Sequence, residues 1–138
     1  MRPRHAAREA ALQALYLCEV GRAEPEVAVA TVFTEHHPEA APAGRAFAAE
    51  VVAGVVAERP RLDALIGAHL AHWRIERLAT IDRLILRMAA WELQHEPDTP
   101  AAVVLDEAIE LARAFGTDDS PAFVNGVLDA IRRDVTGG

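Results

Sequence analysis

The sequence predicts an all-α protein of about seven helices, and three observations carry that expectation. Apolar residues recur with a helical period from one end of the chain to the other, and strand-like alternation is not found. Prolines and glycines fall between the periodic stretches and divide them. No segment repeats another, which sets aside a solenoid. At 138 residues the chain suits one domain, organised as two helical halves at about 1–58 and 61–135, and can bury a core without disulfide staples.

The first helix is expected over roughly Ala6–Val20, with Ala7, Ala11, Leu15 and Cys18 inward. The second opens near Pro25 and runs through Val29 and Phe33 to His36. A linker follows, His37-Pro38-Glu39-Ala40-Ala41-Pro42-Ala43-Gly44, whose prolines and glycine oppose regular structure. Phe47, Val51, Gly54 and Val55 form the stripe of a third helix. Pro60 then breaks the chain ahead of a fourth, with Leu62, Leu65, Ile66, His69, Leu70 and Trp73 on one face. The fifth, about Leu78 to His95, is apolar around most of its circumference through Ile81, Leu84, Ile85, Met88 and Leu93. A helix enclosed by neighbours looks like this, so it is expected near the centre.

The sixth helix is well punctuated. Thr99 is expected as its N-cap and Pro100 at its first position; Val104, Ala108, Leu111, Ala112 and Phe115 form its stripe, and Gly116 ends it. The loop Thr117-Asp118-Asp119-Ser120 leads into a seventh helix opened by Ser120 and Pro121, with Val124, Val127, Leu128 and Ile131 inward. Asn125-Gly126 lies inside that helix. A glycine there is worth about 1 kcal/mol less than alanine, and a second helix packed against its bare backbone is the expected compensation.

Composition excludes several classes. No apolar run approaches the roughly 20 residues of a membrane helix, and no signal region follows the basic first residues, so a cytoplasmic protein is expected. Cys18 is the one cysteine, which leaves neither a disulfide framework nor a multi-cysteine zinc site; it reads as a buried small hydrophobe. A net charge of −7 argues against coating nucleic acid by overall positive charge, yet allows a local basic patch. All 14 basic residues are arginine, so position carries more meaning than residue type. Glycine-rich phosphate loops, nucleophile elbows and HExxH motifs are missing, so no enzyme and no cofactor are expected. His69 and His72 have i, i+3 spacing but lack a third ligand, and no metal is expected.

Two places have chemistry that packing leaves unexplained. Arg2, Arg4, His5 and Arg8 put positive charge at the start of the first helix, where the helix dipole is already positive and each cation is unfavourable by a few tenths to about 1 kcal/mol. The arrangement makes sense if phosphate docks there; otherwise it is a solvated tail. The acidic loop before the seventh helix adjoins Phe123, which is either a core edge or a stacking platform. Between them, Arg83 and Arg87 lie four apart on an apolar helix, where like charges need an opposing acid or a ligand. Asp106, Glu107, Glu110, Asp118 and Asp119 are the acids expected to supply it.

The string DEAIELARAFGTDDSPAFVNGVLD from Asp106 to Asp129, with AREAALQALY from Ala7 to Tyr16, IDRLILR from Ile81 to Arg87, and Trp91-Glu92-Leu93, resembles the NusB family of bacterial transcription antitermination factors. The match runs in order along nearly the whole chain and is weakest from about Val20 to Glu50. It implies two small helical bundles packed together and a non-enzymatic RNA-binding adaptor. Such a factor pairs with NusE, a small-subunit ribosomal protein, and the pair grips boxA RNA so that RNA polymerase passes terminators in ribosomal RNA operons.

On that resemblance the RNA-binding residues are Arg2, Arg4, Arg8, Tyr16, Phe115, Asp119 and Phe123, with Asp82 and Arg87 in partner contact. The chain departs from the family in two places: the segment Arg2-Pro3-Arg4-His5-Ala6-Ala7 has fewer basic residues than many members, and Ala122 stands where lysine is common. Both lower the expected electrostatic affinity for RNA. Two other readings stay open: a helical scaffold that self-associates as a homodimer, and a stand-alone relative of the module that precedes the catalytic domain in certain ribosomal RNA cytosine methyltransferases. No cofactor-binding α/β domain is found up to Gly138.

Overall fold

The computed structural model describes residues 3–72 and 74–136, which form seven α-helices and one 3₁₀ turn, with no strand among the described residues. The all-α expectation holds. The chain divides into two units, one ending at Ala57 and the other beginning at Glu58.

The first unit holds α1 (Pro3–Glu19), α2 (Pro25–His36) and α3 (Pro42–Ala57). Each starts on a proline, which is pre-set for helical φ and gives up an N–H that would have no intrahelical partner anyway. That preference moves two expected boundaries. Helix α1 begins three residues early, so Arg4 and His5 stand on its first turn; α3 begins inside the expected linker, so Gly44 is helical and buried. The α1–α2 connection passes through Arg22, which takes a left-handed backbone conformation at φ 58 and lets Ala23 N–H close on the Leu17 carbonyl. All three helices pack pairwise. Ala7, Ala10, Ala11 and Ala14 let α1 approach closely, while Leu12, Leu15, Val32, Phe33, Phe47 and Val51 fill the core. Cys18 is only partly buried; burial first, then the charge of Glu24, pushes its thiol pKa up, which disfavours the reactive thiolate.

The second unit holds α4 (Arg59–Gly67), the 3₁₀ turn (Ile75–Arg77), α5 (Thr80–His95), α6 (Ala101–Phe115) and α7 (Ser120–Thr136). Helix α5 packs against α4, α6 and α7 and buries an unbroken run from Leu84 to Glu92, as its all-round apolar pattern led one to expect. Leu84 and Ile85 are at most 1% exposed.

Four expectations change here. Pro60 does not break the chain: it sits in the first turn of α4, two residues after the cap Glu58. Helix α4 stops at Gly67, well short of the expected stripe, because His69 Nδ1 lies 2.8 Å from the Leu65 carbonyl and takes up an acceptor that another turn would have used. Trp73, the last residue of that stripe, lies outside the described residues. Helix α6 begins at Ala101, with Pro100 at the cap and Thr99 before it; no side chain caps that end. Gly126 is exposed, and a Cβ added there would meet nothing within 4 Å, so the expected close helix contact is not present. The inward stripe of α7 passes on the opposite side, through Val124, Val127, Leu128 and Ile131, all buried.

Candidate nucleic-acid interface

In the first unit the N-terminal turns of α1 hold two arginines against one aromatic ring. The guanidinium carbons of Arg4 and Arg8 lie 4.3 and 5.4 Å from the Phe47 centroid. A third, Arg45 on α3, lies 5.4 Å from the Phe33 centroid. Cations over ring faces gain from the ring quadrupole and stay flat, which leaves guanidinium edges able to face an anion. No acidic residue occupies the first turn of α1; His5 reaches Glu9 one turn on, at 3.3 Å. Positive side chains and the positive helix pole therefore coincide.

Arg4 is exposed and Arg8 is 5% exposed, so the two have different access to a ligand. Tyr16 lies about 12 Å further along the axis from Arg8, 42% exposed, with its ring open to stacking. Arg2 lies outside the described residues.

In the second unit, Phe115, Asp119 and Phe123 flank the α6–α7 turn. Phe115, expected on the inward stripe, is 36% exposed at the last position of α6. Asp119 is exposed, and its carbonyl accepts the Phe123 N–H at 3.1 Å. Phe123 is half-buried, between the two roles its sequence left open. Ser120 organises the turn: it is buried, and its Oγ accepts the Thr117 N–H at 3.0 Å. It thus caps the loop, holding the carboxylates of Asp118 and Asp119 outward.

The partner candidates differ. Asp82 lies in the first turn of α5, and its Oδ1 is enclosed without a hydrogen-bond partner. Arg87 is 3% exposed; its Nε and Nη2 donate to Asp63 Oδ1 and Oδ2 at 2.7 and 3.0 Å. This fork braces α5 against α4. Asp63 was not among the acids expected to oppose it. Arg83 donates to the Leu78 carbonyl at 3.1 Å, closing the turn ahead of α5.

Sequence reasoning also missed a polar knot at Glu58. Its carboxylate accepts from Arg61, from Trp91 Nε1 at 3.2 Å and from His95 at 2.9 Å, while Arg61 Nη1 donates to Gln94 at 2.6 Å. The Arg61 bond first, then His95, holds the Glu58 pKa below the usual carboxylate value. Phe33 and Phe47 were legible as helix-stripe residues but not as partners of arginines, and the Arg45–Phe33, Arg87–Asp63 and Glu58–Trp91 contacts form only through tertiary packing.

Fold and surface together define an all-helical binding protein. Residues 5–133 match the model of the NusB family, and the transcription antitermination protein NusB of Sorangium cellulosum is 46% identical over 98% of this chain and 95% of its own length. The chain belongs to the NusB family. Among solved structures, T. maritima NusB superposes with a TM-score of 0.86 at 34% identity, covering 96% of this chain and 92% of its own. A chain in a crystal structure of antitermination factors NusB and NusE in complex with double-stranded RNA gives 0.88 at 27% identity, covering 97% and 98%.

Proposed function

We propose that this chain is a non-catalytic transcription antitermination factor that binds boxA-type RNA and pairs with NusE, within the RNA polymerase antitermination complex on ribosomal RNA operons. The observation that carries the reading is the arginine pair on Phe47 at the positive end of α1, an arrangement whose charge suits phosphate. Arg4, exposed on the first turn of α1, meets the RNA backbone directly; Arg2 and Arg8 are the further arginines proposed for RNA contact, Arg8 from a nearly buried position. Tyr16, Phe115 and Phe123 offer ring faces to bases, and Asp119 accepts from a base amino or ribose hydroxyl group.

Asp82 serves the partner contact through its unsatisfied oxygen, and Arg87 serves it at one remove by fixing Asp63. Two weak grips become one strong grip when a single RNA bridges both proteins. Among the described residues no helix is long and apolar enough to cross a membrane, which accords with work in the cytoplasm.

The test is a titration of labelled boxA-type RNA with the protein alone and with NusE of the same species. Tighter binding in the presence of NusE supports the adaptor. Absence of binding in both arms, with a homodimer in sedimentation, would establish the scaffold reading instead.

A further inference from the structure

A cavity of about 210 Å³ opens in the first unit where the linker after α2 folds back over the start of α1. Its lining is mostly apolar, from Ala6, Ala7, Ala40, Ala41 and Phe33, and includes the polar side chains of His37 and Glu39. Drug-sized ligands occupy roughly 300–1,000 Å³; this volume suits one planar ring system.

His37 is held in place: its Nε2 stands 2.9 Å from Gln13 Oε1, within hydrogen-bond distance. The His37 ring leans on Phe33 with centroids 5.7 Å apart, its carbonyl accepts the Ala40 N–H at 3.1 Å, and its own N–H donates to the Phe33 carbonyl at 3.2 Å.

We propose that this cavity receives one unstacked nucleobase of the bound RNA, an adenine, cytosine or guanine with its amino edge turned to Glu39 and His37. The inference rests on the RNA-binding reading above. Three observations carry it. Ala6 and Ala7, which line the cavity, lie between Arg4 and Arg8 in sequence, so the cavity adjoins the helix turns that hold the two arginines. An apolar slot with an imidazole beside it suits the face of a base. The Glu39 carboxylate accepts hydrogen bonds, which favours a base edge with N–H donors, and it repels phosphate and keeps the backbone at the arginines. Duplex RNA, whose bases stay stacked, leaves the cavity empty.

The experiment uses the full chain with NusE and a single-stranded boxA-type RNA, followed by fluorescence anisotropy. The same RNA is prepared as a series, each member lacking one base. With the unaltered protein, one member should bind about 5- to 150-fold more weakly than the intact RNA, the range for one stacked base. Ala40→Leu, made at an exposed position on the cavity wall, should weaken intact RNA by a similar factor and abolish the penalty at that same nucleotide.

Glu39→Gln, at an exposed site with no expected effect on folding, should lower the preference for an amino-bearing base over uracil there. If both variants bind intact RNA as the unaltered protein does and every base-loss penalty persists, the cavity proposal is overturned and RNA binding stands. If Ala40→Leu lowers NusE affinity with the RNA penalties unchanged, the cavity takes a protein side chain and the proposal is equally overturned. If the unaltered protein binds no RNA even with NusE, the underlying reading falls, and this one with it.

Discussion

Gly116 and Ser120 are packed so closely that a Cβ on the glycine would stand 2.5 Å from the serine Oγ. It would also meet the Ala112 carbonyl at 2.8 Å. The backbone of Gly116 is extended, at φ −95, so space and not φ requires glycine here. The turn that presents Asp118 and Asp119 depends on this contact, since Ser120 Oγ also takes the Thr117 N–H.

Gly116→Ala should therefore destabilise the protein by about 1–3 kcal/mol, as overpacking does, and should blur RNA selectivity by shifting the loop. Ser120→Ala removes a buried acceptor and should cost about 0.5–2 kcal/mol. Thermal unfolding and RNA titration check both; an unchanged melting temperature in Gly116→Ala would show that the turn relaxes freely.

Leu84→Ala and Ile85→Ala should each cost about 2–5 kcal/mol, because both side chains are enclosed by α4, α6 and α7. Urea unfolding measures this against Glu39→Ala, an exposed site where little change is expected. Equal effects would contradict the central position of α5.

His69 provides a pH signature. The Leu65 carbonyl at one ring nitrogen raises its pKa above the ordinary 6.5; partial burial opposes this, and Asp134, 2.5 Å from the other nitrogen, raises it further. Two acceptors require two N–H donors, hence the protonated ring. A raised folded pKa means the stabilisation is fully present below about 6.5, the unfolded value, and is lost as pH rises through the higher folded value. His69→Gln should lower stability most under acidic conditions, with the gap to the unaltered protein narrowing above neutrality. Urea titrations from pH 5 to about 9 check this; a gap that widens with pH has the wrong sign.

Much of the fold was legible because it is written in local periodicity. The stripe Val124, Val127, Leu128 and Ile131 needs nothing beyond its own spacing to be placed inward, and the all-round apolar α5 could only be enclosed. Helix ends were less legible: Pro42 and Pro60 read as breakers, yet both occupy first turns, where proline is at home. Least visible were pairings across the chain. Arg87 meets Asp63 from 24 residues away, and Arg45 meets Phe33 across two helices, contacts that no spacing rule encodes. The same limit explains Gly126: its cost in a helix was readable, but not whether a neighbour would fill the space.

Asp119 is an odd neighbour for RNA, since a carboxylate repels phosphate, so its role should be short range and selective. Asp119→Asn should keep or raise total RNA affinity while narrowing the preference for boxA over scrambled RNA. Phe123→Ala should lose roughly 1–3 kcal/mol of binding through lost stacking. Competition titrations with both RNAs read the two effects; unfolding of Asp119→Asn, whose side chain is exposed, would mean that the carboxylate is structural.

The central claim is that the arginines at the start of α1 hold phosphate, and the salt dependence of RNA affinity tests it most directly. Binding of boxA-type RNA with NusE should be followed over a range of salt for the unaltered protein, for Arg4→Ala and for Arg4→Ala with Arg8→Ala. The account predicts weaker binding and a slope of log affinity against log salt shallower by about 1 unit for the single variant and up to about 2 for the double. Circular dichroism should show the helical fold retained in both. An unchanged slope in folded protein would contradict the account and leave the N-terminal arginines as solvated bystanders.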